Sequence, residues 1–362
     1  MRIGIFGGTF NPPHIGHTEM TRSKAVELGL DLLIVVPTGM PPHKHLPPGT
    51  PSADMRLIMT QNGFSGAPHT LISDAEIFSN EPCYAIDTIK SVKSDYPGAE
   101  LFLMVGTDMY TELDSWKDSK DLLKLVTPAE LPRDLINISS TRLRELLPER
   151  KGREYVADLN YSYIIKHRLY GAKPDWSWLR ERAHSMLAPG RIPHVDACEK
   201  ESLAMAERWG VSTDDAREAA ILHDITKKLS FEEHLRVLDE HKVSIGKLGY
   251  HGEKLLHSIT GALLARSMFG VSDDVVGAIR WHTTGREKMT TLEKVIYLVD
   301  YIEETRDFAG LDALREKAYE DIDDAMIMGL QMSIDDLLER GITPNDTTYK
   351  ALNDLVKEGK SK

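Results

Sequence analysis

The chain has 362 residues, 41% hydrophobic and 28% charged, which excludes a disordered or fibrous protein and leaves room for two hydrophobic cores. Its net charge is −12, with 19 Lys and Arg against 21 Asp and Glu up to Lys173 and 25 against 35 after it; that balance argues against a nucleic-acid surface but permits local cations around small anions. No apolar run approaches the ~20 residues of a membrane span, the opening stretch is too short for a secretion signal, and Cys83 and Cys198 stand in no metal-type spacing, so a cytoplasmic protein with free thiols is expected.

"RIGIF" reads as a buried strand, "HTEMTRSKAVELG" as a helix and "LDLLIVVPT" as a second strand, a βαβ unit. The Pro-rich loop "PTGMPPHKHLPPGTP" follows. "CYAIDTIKSVKSDYPG" then has helical spacing and "AELFLMVGTD" is again strand-like, so a parallel α/β sheet is expected. Gly7 and Gly8 stand between the first strand and a helix beginning near Gly16, an arrangement that offers backbone N–H groups and a positive dipole end to a phosphate. His14 and His17 flank that helix start at the carboxyl edge of the sheet, where open α/β folds bind ligands. In "NISSTRLRELL" the same physics recurs: Ser139, Ser140 or Thr141 caps a helix carrying Arg142 and Arg144.

"GIFGGTFNPPHIGH" with "ISSTRLR" resembles the bacterial nicotinate mononucleotide adenylyltransferases, of the nucleotidyltransferase α/β phosphodiesterase superfamily. "VPTGMPPHK", "YAIDTIKSVKSDYP", "VGTDMYTELDSWKD" and "YVADLNYSYIIKHRLYG" match in order, over roughly residues 1–170. The resemblance implies attack by the phosphate of nicotinate mononucleotide on the α-phosphorus of magnesium-bound ATP, with no protein nucleophile. It places Gly7, Gly8, Thr9 and Phe10 at the substrate, His14 and His17 on ATP phosphates, and Lys44 and Arg144 where charge develops. Ser140 and Thr141 would supply helix-start donors, Asp108 would contact the ribose and Trp116 would stack on the pyridine ring. Only residues 117–137 separate Trp116 from "ISST", where the family carries a further strand, loop and helix. A shortened sheet is therefore expected and its edge strand is in doubt; the alternative for this half is a catalytically impaired nucleotide-binding or interaction module, with only the second half of the chain catalytic.

After about Pro174 strand signals disappear and helix follows helix, which places a boundary at "LYGAKPDW" and domains at 1–173 and 174–362. Candidate ligands are His194 in "IPHVDACEK", the adjacent His223 and Asp224 in "AAILHDITKK", His257 in "LLHSITGA", His282 in "IRWHTTG" and Asp300 in "IYLVDYIE". His257 and Asp300 interrupt apolar stretches, where an unpaired ionisable group is costly, and convergence on metal ions would satisfy both. Imidazole with carboxylate suits iron, manganese or zinc better than calcium. His184, His234, His241 and His251 lie in polar stretches or outside these motifs and are read as solvated.

The order His, His-Asp, Asp resembles the HD-domain phosphohydrolase superfamily. "HDITKKLS", "LLHSITGALLA" and "IRWHTTGREKMTTLEKVIYLVDYIEETRDF" are similar to the YqeK-type HD proteins, which hydrolyse diadenosine tetraphosphate symmetrically to two ADP, over roughly residues 174–350. The resemblance implies that His194, His223, Asp224, His257, His282 and Asp300 hold one or two divalent ions, iron foremost with manganese or zinc as alternatives, and that Asp224 is also catalytic. It implies phosphate contacts from Lys227, Thr283, Thr284, Gly285, Arg286 and Arg306. The expectation is thus a shortened Rossmann-like α/β nucleotidyltransferase followed by an all-α HD bundle, acting as a bifunctional enzyme on ATP, nicotinate mononucleotide and diadenosine tetraphosphate. No nucleic acid or membrane is expected as a partner, and a homodimer is compatible with this reading.

Overall fold

The computed structural model describes residues 1–42, 45–79, 81–132, 136, 138–244 and 252–359. Lys44 and His251 lie outside the described residues. The chain divides into two compact units, Met1–Asp175 and Trp176–Lys362.

In the first unit β1 (Arg2–Gly8), β2 (Leu32–Pro37), β3 (Thr70–Ile72), β4 (Glu100–Gly106) and β5 (Thr127–Leu131) form one parallel sheet in the order β3-β2-β1-β4-β5. Its helices are α1 (Ile15–Glu27), α2 (Ala53–Gly63), α3 (Ala85–Asp95), α4 (Thr107–Thr111), α5 (Ser119–Leu125), α6 (Ser140–Leu146) and α7 (Asp158–Lys166). The central strands are near-continuous apolar runs because both faces are covered. Ile3, Ile5, Ile34, Val36, Leu101 and Leu103 fill one face, while Phe6, Leu33, Val35 and Met104 fill the other. The chain runs from β1 outward through β2 to β3 and returns on the other side of β1 as β4 and β5. That reversal leaves a crevice outside the carboxyl ends of β1 and β4, the ligand position of such sheets.

The edge strand that the short segment put in doubt is present. The segment 117–137 keeps a helix and an edge strand: α5 precedes β5, which pairs with β4 from Phe102↔Thr127 to Gly106↔Leu131. Leu122, Ala129 and Leu131 are buried and anchor it. "TPAEL" is hard to read as a strand because of its proline, yet Pro128 is tolerated on an edge strand, where half the ladder donors are unused.

The second unit contains helices α8 (Trp176–Met186), α9 (Ile192–Trp209), α10 (Thr213–Leu222), α11 (Phe231–Glu240), α12 (Leu256–Phe269), α13 (Asp273–Trp281), α14 (Thr291–Ile302), α15 (Leu311–Glu320), α16 (Ile322–Glu339) and α17 (Asp346–Gly359), and no strand among the described residues. Their starts follow local chemistry: Ser212, Ser230, Ser272 and Thr290 each accept a hydrogen bond from the backbone N–H three residues on. Gly210 and Gly270 close α9 and α12 in the left-handed conformation, with φ of 68° and 59°. Helix α14 is buried on nearly every side, through Leu292, Val295, Ile296, Tyr297, Leu298 and Val299, and is the axis around which α9, α10 and α13 pack. No described helix is long and apolar enough to cross a membrane.

Candidate active sites

In the first unit β1 brings Gly7 and Gly8 to the crevice, and His14 is the N-cap of α1. The His14 backbone N–H donates to His17 Nδ1 at 3.2 Å, and the two imidazole rings lie 3.7 Å apart between centroids. Gly16 between them is a packing requirement, since a Cβ there would stand 2.9 Å from His14 Nδ1 and 3.0 Å from its Cε1. Phe10, expected at the substrate, is turned inward: its ring is 1% exposed and packs edge-on against Phe6, His17 and Phe64. That residue shapes the loop rather than touching a ligand with its side chain.

The second candidate phosphate segment meets the first. Ser139 caps α6 by accepting from the Arg142 N–H at 3.1 Å, and the Ser140 hydroxyl donates to the Pro12 carbonyl at 2.9 Å. Arg144 donates to the Asn11 carbonyl at 2.7 Å and to Thr141 Oγ1 at 3.1 Å. Thus Ser140, Thr141 and Arg144 border the turn that carries the histidines. Asp108, in the short helix after β4, is exposed, whereas Trp116 is half-buried and packs partly against the sheet core. Spacing does not point to Arg56, which is 1% exposed and donates to the carbonyls of Thr9, Thr38 and Gly39 at 2.8, 2.6 and 2.9 Å. Burial lowers its pKa and Tyr170 partly offsets that. The sole cue is an arginine on an otherwise ordinary helix, "ADMRLIM".

In the second unit five helices deliver the six expected ligands to one place. His194 comes from the first turn of α9, His223 and Asp224 from the end of α10, His257 from the first turn of α12, His282 from the end of α13 and Asp300 from the last turn of α14. His223, His257 and His282 each direct Nδ1 at the backbone carbonyl three residues earlier, Ala220, Lys254 and Ile279, all at 2.7 Å. A carbonyl only accepts, so Nδ1 carries the proton and Nε2 points inward with its lone pair. His194 Nδ1 meets the Glu303 carboxylate at 2.9 Å, so its Nε2 also faces the cluster.

The resulting separations are short. His257 Nε2 and His282 Nε2 are 3.2 Å apart, and His194 Nε2 and His223 Nε2 are 3.4 Å apart. Asp300 Oδ1 is 3.0 Å from His194 Nε2, while Asp224 Oδ1 is 3.3 Å from His257 Nε2 and 3.7 Å from His282 Nε2. Burial lowers the pKa of His257 well below the usual imidazole value, reinforced by His282 and Lys227, and burial likewise lowers His282. Two neutral imidazoles therefore aim lone pairs at each other, beside a fully buried Asp224 Oδ1 that has no hydrogen-bond partner. A cation between these atoms resolves both conflicts, and the nitrogen and carboxylate donors suit a divalent transition ion. Burial alone would lower His223, but the Asp224 and Asp300 carboxylates and the Ala220 carbonyl together leave it raised; burial alone would raise Asp224 and Asp300, but His223, His282 and Lys227 together hold Asp224 below the usual carboxylate value, and His194, His223 and Arg306 do the same for Asp300.

Cations ring this centre. Arg191 Nε reaches Asp224 Oδ2 at 2.5 Å, Arg306 Nη2 reaches Asp300 Oδ1 at 2.5 Å, and Lys227 Nζ is 3.0 Å from His257 Nε2. Lys227 and Arg306 thus stand where phosphate contacts are expected, joined by Arg191, which the motifs do not single out. Of the other expected phosphate contacts, Thr284 and Gly285 are buried, and Arg286 is half-buried with its Nε 3.0 Å from Glu293 Oε1. Thr283 is half-buried and meets the Ser258 hydroxyl at 3.3 Å. His234 is also corrected: it is 3% exposed, with Nδ1 2.9 Å from Thr260 Oγ1. Glu303 and Cys198 complete the surroundings, Cys198 Sγ lying 3.4 Å from His194 Nε2. Their signals are spacing alone, Glu303 three residues after Asp300 and Cys198 four after His194.

A nucleotide-type crevice in one unit and a histidine-carboxylate centre in the other define a two-part phosphoryl-chemistry enzyme, and comparison with known proteins agrees. The cytidylyltransferase-like family matches residues 5–146 and the HD domain matches residues 191–305. A Listeria monocytogenes protein named "Probable nicotinate-nucleotide adenylyltransferase" is 32% identical over 188 residues, covering 48% of this chain and 98% of that protein. A Halalkalibacterium halodurans protein named "Bis(5'-nucleosyl)-tetraphosphatase, symmetrical" is 36% identical over 175 residues, covering 48% of this chain and 93% of that protein. A Clostridium acetobutylicum crystal structure titled "predicted HD superfamily hydrolase involved in NAD metabolism" is 32% identical, covers 51% of this chain and 97% of that one, and aligns with a TM-score of 0.49. The chain belongs to the nicotinate-nucleotide adenylyltransferase family in its first half and to the HD-domain family of the symmetrical tetraphosphatases in its second.

Proposed function

We propose that the protein is bifunctional, making nicotinate adenine dinucleotide in its first domain and hydrolysing diadenosine tetraphosphate to two ADP in its second, with domains divided at 173/174. The observation that carries the first activity is the paired His14 and His17 at the start of α1, beside the β1 glycines. There an oxygen of the nicotinate mononucleotide phosphate forms a bond to the α-phosphorus of magnesium-bound ATP as the bond to the β-phosphate oxygen breaks and pyrophosphate leaves. The protein contributes position and charge rather than a nucleophile. His14, His17 and the backbone N–H groups of Gly8 and Thr9 steady the phosphates, with Arg144 and Lys44 neutralising charge. Ser140 and Thr141 add donors, Asp108 holds a ribose, and the accessible part of Trp116 packs on the pyridine.

The second activity rests on the four inward Nε2 atoms with Asp224 and Asp300. His194, His223, Asp224, His257, His282 and Asp300 would hold one or two divalent ions, with iron, manganese or zinc as the metal. Bound ions would supply Lewis-acid polarisation and an acidic water. Arg191, Lys227 and Arg306 receive the polyphosphate charge. Water adds to one inner phosphorus and the bridge to the other inner phosphate breaks, giving two equal halves.

Incubation of the full chain with magnesium, ATP and nicotinate mononucleotide is expected to yield dinucleotide and pyrophosphate. Incubation with a divalent metal and diadenosine tetraphosphate is expected to yield ADP alone. ATP binding without dinucleotide formation would reduce the first half to a binding module, and AMP with ATP as the second pair of products would overturn symmetrical cleavage.

A further inference from the structure

Arg56 occupies a position where an apolar side chain is the ordinary choice. It shares the buried face of α2 with Met59 and Thr60, at i, i+3 and i+4, and is 1% exposed. Among the described residues its guanidinium bonds backbone carbonyls alone: Nη1 donates to Thr9 at 2.8 Å and Thr38 at 2.6 Å, Nη2 donates to Gly39 at 2.9 Å, and the buried Nε has no partner. Those carbonyls lie just past the ends of two neighbouring strands. The register of β1 and β2 ends at Gly8↔Pro37, and the Thr38 N–H donates to the Gly8 carbonyl at 2.8 Å. There the strand ladder stops, and Arg56 bridges Thr9 to Thr38 and Gly39, adding a rung at the carboxyl edge of the sheet, where ligands of such folds bind. Gly39 is also confined by packing, since a Cβ there would collide with the Glu76 carbonyl oxygen. In a planar trans peptide the N–H points opposite to the C=O. Each carbonyl that Arg56 holds therefore turns one N–H, of Phe10, Gly39 or Met40, away from the guanidinium. A hydrogen bond to a cation polarises that peptide and strengthens its N–H as a donor. A buried cation with carbonyl partners alone is costly, and an anion held by the same peptides offsets its charge.

We propose that Arg56 is a positioning residue of the first site: by holding the Thr9, Thr38 and Gly39 carbonyls it fixes the turn after β1 against the loop after β2, with their peptide N–H groups preorganised for the phosphates of ATP. It touches no substrate itself and acts through the backbone of both segments. Donors set in place before the ligand arrives cost no reorganisation when it binds or reacts. This inference rests on the adenylyl-transfer reading given above.

The test measures magnesium-ATP affinity by calorimetric titration, and the steady-state kinetics of dinucleotide synthesis, on full chains of the wild type, Arg56→Lys and Arg56→Met. Lysine keeps the charge without the planar fork, and methionine keeps an unbranched apolar stem, so one variant guards against a packing defect in the other. Thermal unfolding checks that each chain is folded. Both variants are expected to bind ATP about tenfold more weakly, and to raise the KM for ATP while lowering kcat, about 100-fold together in kcat/KM. A role confined to stability would reduce the amount of active protein, and so the apparent kcat alone. An ATP Kd and KM unchanged from wild type in both variants would therefore overturn the proposal. A wild-type chain that binds ATP without forming dinucleotide would overturn the transfer reading and leave the Kd comparison to decide on Arg56, whereas a wild-type chain that binds no ATP would overturn both.

Discussion

At the scale of residues, the two centres are governed by groups that hold the reactive side chains. Glu303 is fully buried, takes the Nδ1–H of His194 and is itself fixed by the Thr305 N–H at 2.5 Å and hydroxyl at 2.6 Å. Such carboxylate partners fix the ring and raise its basicity. Glu303→Gln should therefore weaken metal binding about 10- to 100-fold in a metal titration, while dinucleotide synthesis is unchanged; an unaltered affinity would remove Glu303 from that role. Gly16→Ala should push the His14 ring aside, because the new Cβ meets it at 2.9 Å. A displacement near 1 Å at a reacting centre costs about 100-fold, so kcat/KM for dinucleotide synthesis should fall by that order with hydrolysis intact. The metal-type histidines and aspartates were legible because ordered motifs and apolar context mark them. Arg56, Glu303 and His234 were not, since each depends on a partner distant in sequence, and Cys198 was not because a cysteine four residues after a histidine is no metal-type motif by itself. Arg56 reads as an ordinary helix position until the carbonyls of Thr9, Thr38 and Gly39 converge on it.

At the scale of elements, helix starts and buried parallel strands were plain from local chemistry, whereas β5 was hidden by its proline and its half-exposed edge position. Helix α9 shows how elements are locked around a centre. Glu199, 6% exposed, accepts from Arg180 of α8 at 2.6 and 2.7 Å and from Arg217 of α10 at 2.5 Å. Burial would raise its carboxyl, but the two guanidiniums more than offset this and hold its pKa below the usual value. Glu199→Gln leaves two cations facing a neutral amide and should destabilise the second unit by about 3 kcal/mol at neutral pH in urea unfolding. A group with a depressed folded pKa stabilises above its unfolded value and loses that contribution as pH falls through the folded one. The gap between wild type and variant should therefore narrow below about pH 4. A gap that is absent at pH 7, or that widens in acid, would contradict this account of how α8, α9 and α10 are tied.

At the scale of the whole molecule, one compact unit carries the β1–α1 crevice and the other the histidine-carboxylate centre, and the proposed function gives each an adenine-nucleotide substrate. The structure divides into units at 175/176, near the place where strand signals stop and helix signals begin in the sequence. What periodicity does not display is whether two activities operate in one chain. If they do, each must be removable alone. His17→Ala acts on the crevice of the first unit and Asp224→Ala on the histidine-carboxylate centre of the second. The decisive measurement assays wild type and both variants, as folded full-length chains, for dinucleotide formation and for ADP released from diadenosine tetraphosphate. The account predicts that His17→Ala lowers synthesis at least about 100-fold with hydrolysis retained, and that Asp224→Ala does the reverse. A wild-type chain lacking either activity, or a single substitution that abolishes both, would contradict a bifunctional enzyme with two independent centres.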